Sequence, residues 1–400
     1  MSFWHSIPTP IIGLSPMDGI TDASFRYITA AYGGADVTIT EFVNVETAFY
    51  APQTLIKDLT YSELERPVVA QIYGHTPEMF YKVAHIVCEL GFDGLDINMG
   101  CPAKKVAAKG GGAALIRAPE LAQSIIRAVM QGIADWRAGQ TLRELKIHPG
   151  LIEKIKLANR LRKGWETPPA RHSIPVSVKT RIGYDQIVID QWIQTLLEER
   201  PAAIALHGRT LKQQYKGNAD WDAIAQAAAA ARDSRTLILG NGDLRDMSDI
   251  YRRVRESGVD GVLVGRAAQG NPWLFRSKEH LKLALRSGAS LAIPNIPVTL
   301  AERSSVMMEH ARHFEKHWGS QAFVGMRKHL AWYCRALPRA AELRAQMVRL
   351  DSVSGLLQCL SDYTASMAMQ WRSPLSLLHE AASPLPSDAL DLPTPRNAFA

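Results

Sequence analysis

A lone thiol, Cys101, closes the alternating run Gly94-Leu95-Asp96-Ile97-Asn98-Met99 and is followed by Pro102-Ala103-Lys104-Lys105. Enzymes built on parallel strands carry their chemistry just past the strand ends, so a thiol there is placed to act on a ligand. Period-2 alternation sends Leu95, Ile97 and Met99 to one face and Asp96 and Asn98 to the other, where two polar groups enter a space that a packing core would fill with hydrocarbon. In Val176-Ser177-Val178-Lys179-Thr180-Arg181 the valines share one face and Ser177, Lys179 and Arg181 the other. Two unpaired buried cations are costly. An ion pair with Asp96 or Glu41 is the structural alternative, and an electron-rich ligand is the functional one. Gln71 in Val69-Ala70-Gln71-Ile72 and His207 in Ala205-Leu206-His207-Gly208-Arg209-Thr210 converge on the same place. Asn241-Gly242-Asp243 and Gly265-Arg266 each bring a glycine, and the second an arginine, to a strand end, which suits a phosphate. A ring reaching from that phosphate to Gln71 and Lys179 has the dimensions of a flavin mononucleotide, and Lys179 is placed to stabilise negative charge on the reduced ring.

Eight strands are expected to position these groups, at Ile11–Pro16, Val37–Thr40, Val68–Ile72, Gly94–Met99, Val176–Ile182, Ile204–His207, Leu237–Asn241 and Gly261–Gly265. Helix-length stretches such as 77–90, 119–132, 186–199 and 247–256 lie between them and supply the crossovers that parallel strands need. The expected fold is an α/β (β/α)8 TIM barrel over 1–290, followed by a small C-terminal helical bundle domain over 298–372. A doubly wound open sheet is disfavoured because no G-x-G-x-x-G follows the first strand. Helices are expected at 299–318, 319–337, 340–350 and 353–369, and the proline-rich segment 373–400 reads as a tail.

At 400 residues and 46% hydrophobic content the chain can bury a large core. No run reaches the roughly 18 apolar residues of a membrane span, and the N-terminus lacks a signal-peptide pattern, so a cytoplasmic protein with no membrane partner is expected. Cys88, Cys101, Cys334 and Cys359 form no C-x-x-C pair, so neither a disulfide framework nor a metal site is expected, and Cys88 and Cys359 read as small core residues. The net charge of +7 permits an anionic partner. Residues 136–172 hold nine Lys or Arg against three Glu, and 302–349 hold nine against four, with Trp318, Trp332 and Tyr333 interleaved as candidates for base stacking.

Ser15-Pro16-Met17-Asp18-Gly19-Ile20-Thr21-Asp22, Phe25-Arg26, Gln71-Ile72-Tyr73-Gly74, Asp96 to Pro102, Lys179-Thr180-Arg181, His207 to Thr210, Asn241-Gly242-Asp243 and Gly265 to Gly270 follow in an order that resembles the bacterial tRNA-dihydrouridine synthases, most of all the B-type subgroup. Met326 to Tyr333 is similar to the start of that family's helical RNA-binding segment. The resemblance implies an FMN-dependent enzyme that uses NADPH or NADH to reduce the C5–C6 bond of tRNA uridines. It implies that Pro16, Met17, Asp18, Gln71, Lys179, His207, Asn241, Gly242, Asp243, Gly265 and Arg266 bind or surround the flavin, and that Cys101 protonates uracil C5 while hydride reaches C6 from the flavin N5. Asn98 and Arg181 would surround the base; Lys104, Lys105, Arg327 and Lys328 would meet the RNA, and the protein would be a monomer.

The chain departs from the family at Ser15, where alanine is usual, and over 136–172, an insertion that reads either as an extension of the RNA track or as a helix, since Leu151, Ile155, Ala158 and Leu161 recur at helical spacing. Lys109-Gly110-Gly111-Gly112-Ala113 reads as a hinge for a closing loop or as a plain flexible connection. The competing functions are an FMN oxidoreductase of free pyrimidines, of the dihydroorotate dehydrogenase kind, against which the basic helical segment argues, and an RNA-binding protein with a silent barrel, against which Cys101, Lys179 and His207 argue.

Overall fold

The computed structural model describes residues 2–380 except 167, 169, 215, 289–292, 295 and 336. Eight parallel strands pair in chain order and close on themselves: β1 (Ile11–Leu14), β2 (Thr38–Asn44), β3 (Val68–Tyr73), β4 (Gly94–Met99), β5 (Val176–Gly183), β6 (Ala203–Thr210), β7 (Leu237–Asn241) and β8 (Gly261–Val264). Around them run α1 (Ala23–Tyr32), α2 (Pro52–Asp58), α3 (Pro77–Glu89), α4 (Lys104–Ala107), α5 (Pro119–Arg137), α6 (Pro149–Lys163), α7 (Ile189–Glu198), α8 (Trp221–Ala231), α9 (Met247–Ser257) and α10 (Lys278–Ser287). This is the (β/α)8 barrel expected. Strand β1 stops at Leu14, because Pro16 has no N–H for a ladder. Strand β2 runs on to Asn44 after a bulge, which lets Phe42, Val43 and Asn44 pair with Gln71, Ile72 and Tyr73.

The strand alternation splits the core in two. Leu95, Ile97 and Met99 face outward into the apolar layer beneath the helices. Inside the barrel, Trp4, Ile11, Val37, Ile39, Val69, Ala203, Ala205, Leu239 and Leu263 form a separate apolar cluster. The short helical turn Phe3–His5 sits beneath the strands' N-terminal ends and buries Trp4 as a plug. Above this floor the inward positions turn polar. Gln71 is level with Asp96, Asp96 with Ser177, Asn98 with Lys179, and Arg181 with His207, which in turn pairs with Asn241.

The C-terminal helices are α11 (Leu300–Trp318), α12 (Arg327–Tyr333), α13 (Ala340–Met347) and α14 (Val353–Glu380). The helix expected over 319–337 is split into a 3-10 stretch, Ser320–Met326, and α12. Their shared core takes in Ile28 of α1 and Trp273, so the bundle is seated on the flank of the barrel. Helix α14 ends at Glu380, beyond the expected tail boundary at residue 373, and 381–400 lies outside the described residues. Cys88 is buried as expected, whereas Cys359 is half-buried on α14 with its thiol donating to Gln346 Oε1 at 3.3 Å.

The insertion contains helix α6. Leu151 and Ile155 are buried as the spacing predicts, but Leu161 is 79% exposed and Ile152 and Asn159 take the inner positions. Asn159 Nδ2 donates to the Glu89 carbonyl at 2.9 Å, and Arg162 and Lys163 pair with Glu63 at 3.3 and 3.4 Å. Those partners precede β3 and β4, so the helix lies toward the N-terminal ends of the strands, opposite Cys101.

Candidate active site

A cavity of about 1260 Å³ opens at the C-terminal ends of the strands. It brings together Pro16, Met17, Asp18, Gln71, Asn98, Cys101, Lys104, Lys179, Arg181, His207, Asn241, Gly242, Asp243, Gly265 and Arg266. Lys105 is exposed one residue beyond that lining. Arg327 and Lys328 lie on α12 instead. Arg327 Nε donates to the Leu350 carbonyl at 2.6 Å, and Lys328 Nζ donates to the Gly19 carbonyl. Arg209, for which the sequence suggested no role, also lines the cavity, and the signal was present because it is two residues from His207 on the same face.

Lys179 is not neutralised as a barrel ion pair would require. Lys179 Nζ reaches Asn241 Oδ1 at 3.4 Å and has no carboxylate oxygen within 4.0 Å among the described residues. Burial, and then Arg181, brings its pKa down to about 8. Arg181 Nε donates to the Gly100 carbonyl at 2.7 Å, which ties β5 to the turn that carries Cys101. His207 is kept neutral by burial and by Arg181, Lys179, Arg209 and Arg266 around it. Arg209 and Arg266 meet Asp243 at 2.7 and 2.9 Å. Burial alone would raise the Asp243 carboxyl, but the Ala219 N–H and the two arginines hold it below the usual range.

Cys101 is 7% exposed. Burial raises its thiol pKa against a hydrogen bond from the Ala103 backbone, so the thiol carries its proton at neutral pH. Asn98 Oδ1 accepts from the N–H groups of Gly100 and Cys101 at 3.0 and 2.9 Å. Gly112, with φ +58°, lies against the same turn, where an added Cβ would stand 3.0 Å from the Cys101 carbonyl oxygen. The glycine run after Cys101 thus meets a packing need whether or not the loop moves.

The donor set fits FMN. A Cβ on Gly242, whose φ is +128°, would meet Ala219 Cβ at 2.7 Å and His207 Cδ2 at 3.2 Å, and one on Gly265 would meet Met17 Sδ at 3.3 Å. Both strand ends thus need a bare backbone, whose N–H groups a side chain would otherwise crowd, and the cations in the lining outnumber Asp18 and Asp243, as an anionic phosphate requires.

Residues 13–163 and 156–368 match the family model described as dihydrouridine synthase. A protein of Staphylococcus epidermidis described as "Probable tRNA-dihydrouridine synthase" is 30% identical over 376 residues, covering 92% of this chain and 97% of its own. One of Synechocystis, "Probable tRNA-dihydrouridine synthase 1", is 30% identical over 341 residues, covering 85% and 82%. Among solved structures, morphinone reductase in complex with tetrahydroNAD aligns at TM-score 0.40 and 12% identity over 72% of this chain and 90% of its own. Dihydroorotate dehydrogenase of Eimeria tenella, in complex with ferulenol, aligns at TM-score 0.39 and 13% identity over 65% and 68%.

Proposed function

The chain belongs to the dihydrouridine synthase family, and from that premise we propose that it binds FMN in the barrel mouth, draws hydride from NADPH, and reduces tRNA uridines with Cys101 as proton donor. It is a tRNA-dihydrouridine synthase, a flavin-dependent oxidoreductase. The observation that carries the finer reading is the meeting of a protonated thiol, a cluster of cations and two Cβ-free strand ends in one cavity.

When bound, FMN would supply the hydride that C6 of the uracil receives. Gly242 and Gly265 offer backbone N–H groups to its phosphate, with Arg266 able to turn from Asp243 toward it. Lys179 and Gln71 would hold the ring, and the Lys179 ammonium would steady negative charge on it. As C6 gains hydride, charge builds at C5 and O4, and the Cys101 S–H bond breaks to give C5 its proton. The thiolate left behind is stabilised by Arg181 and Lys179 and regains a proton from solvent. Neutral His207 takes part as a hydrogen-bonding group and not as a cation. With Asn98 Oδ1 occupied by the Cys101 turn, Asn98 has only an N–H left for the uracil edge. Lys104 and Lys105 lead the RNA backbone to the mouth. The protein works as a monomer in the cytoplasm, where its tRNA substrate resides; among the described residues no helix is long and apolar enough to cross a membrane.

A visible spectrum of the purified protein, together with mapping of dihydrouridine in host tRNA with and without the gene, tests this. A yellow protein that releases FMN on denaturation and a uridine that stays unreduced without the gene are expected. A colourless protein that takes up no flavin overturns the reading.

A further inference from the structure

Beneath the cavity Ser177, Asp96, Gln71, Asn98 and the Gly100-Cys101 turn are joined in one chain of hydrogen bonds. Ser177 Oγ donates to Asp96 Oδ1 at 2.6 Å, and Gln71 Nε2 donates to Asp96 Oδ2 at 2.7 Å. Asn98 Nδ2 donates to Gln71 Oε1 at 3.0 Å, and Asn98 Oδ1 accepts from Gly100 and Cys101 at 3.0 and 2.9 Å. Gln71 and Asp96 are 0% and 1% exposed, so water cannot complete a misdirected link. Strand register puts Gln71 beside Asp96 and Asp96 beside Ser177, which makes the chain a product of the barrel itself.

The two ends leave the amides in between no choice. An ionised carboxylate only accepts and a backbone N–H only donates, so Gln71 must turn its NH2 to Asp96 and Asn98 its NH2 to Gln71. Asp96 is not part of the cavity lining, and its side chain bonds to Ser177 and Gln71.

We propose that Asp96 is a positioning residue that sets the direction of a Gln71–Asn98 amide relay and thereby holds the Gly100-Cys101 turn in the geometry from which Cys101 delivers its proton. The proposal rests on Cys101 as proton donor for its functional meaning, but its geometry can be read without that reaction.

The test is a double-mutant cycle on the flavin-loaded protein, with Cys101 alkylation by iodoacetamide followed by peptide mass and with tRNA reduction measured alongside. In Asn98→Asp the new carboxylate still accepts from the turn, but its second oxygen faces Gln71 Oε1. Flipping Gln71 only moves the clash to Asp96. The turn should loosen and Cys101 should be alkylated about tenfold faster. Adding Asp96→Asn lets the whole chain run the other way, with Gln71 Nε2 donating to position 98 and the new amide donating to Gln71 Oε1. Alkylation should return to within about threefold of wild type, with partial recovery of uridine reduction. Asp96→Asn alone keeps an acceptor for Gln71 while its NH2 faces Ser177 Oγ, so the Cys101 alkylation rate should hold within about twofold.

A double variant no better than Asn98→Asp overturns the relay. Should Asn98→Asp fail to fold, Asp96→Asn still overturns the proposal if its Cys101 rate rises about tenfold, because charge, and not direction, is then what Asp96 supplies. Should the wild type fail to reduce tRNA while the alkylation pattern holds, the relay stands and the reaction assigned to Cys101 falls.

Discussion

Cys101→Ala removes the proposed proton donor with little change in volume. The variant should retain FMN and accept hydride from NADPH at the normal rate while reducing tRNA uridine ~100- to 10,000-fold more slowly, the range for loss of a general acid. Stopped-flow absorbance with tRNA added in a second step separates the two, and Cys88→Ala, buried on α3, should change neither. Glu41 on β2 offers a pH test. Burial and the nearby Asp22 and Asp18 raise its pKa to about 7, while its Oε1 accepts from the Ile20 N–H at 2.9 Å. Between pH 4.5 and about 7 the folded chain holds a proton that the unfolded chain has released, so stability from this group is full in acid and lost as pH rises. Glu41→Gln should therefore stabilise the protein by ~1–2 kcal/mol near pH 8 and by almost nothing near pH 4.5, as read from melting curves. At this scale, residue type and two-residue spacing already exposed Gln71, Asn98, Lys179 and His207. What they could not show was who bonds to whom. The Arg181 contact to Gly100, the Asp243 bridge between Arg209 and Arg266, and the Asp96 chain all link residues far apart in sequence, and only strand register brings them level.

Helix α6 shows the limit of reading charge from composition. The six net positive charges over 136–172 suggested an RNA track, but Lys156 pairs with Glu153, Arg160 with Glu166, and Arg162 and Lys163 with Glu63. Arg171 is spent on the Trp136 and Gln140 carbonyls, and the helix lies away from the strands' C-terminal ends. Neutralising Lys154 and Arg143 should leave the KM for tRNA within about twofold, whereas neutralising Lys104 and Lys105 at the mouth should raise it about tenfold and flatten its salt dependence. Filter binding over a salt series distinguishes them, and equal effects would place RNA on the insertion. Strand and helix existence was legible because the alternation is strict in β4 and β5 and the crossovers are long. Boundaries were less so: the bulge in β2 and the 3-10 stretch Ser320–Met326 ahead of α12 have no period for a pattern to detect.

The helical bundle reaches the catalytic mouth at the loop after β1. Trp318 Nε1 donates to Asp22 Oδ2 at 2.7 Å, and Lys328 holds the Gly19 carbonyl, on the segment that continues from the cavity-lining residues Pro16 to Asp18. Trp318→Phe deprives a buried carboxylate of one donor, at a cost of ~1–3 kcal/mol. The melting temperature should drop and the KM for tRNA rise several-fold, while flavin content and its reduction by NADPH stay as they are. Loss of flavin in this variant would mean that the bundle supports the barrel as a whole and not this loop. Arg327, bonded to Leu350, serves the bundle's own packing, so its loss should cost stability before RNA affinity.

The Trp4 plug makes the barrel a cul-de-sac. With Ile11, Val37, Val69 and Leu263 sealing the tube above it, a reductant and an RNA that both act at the proposed flavin would share one doorway and take turns at it. Double-reciprocal plots against NADPH at several tRNA concentrations should then be parallel, and tRNA in excess should obstruct the nucleotide as a competitor; intersecting lines would require both visitors to be admitted together.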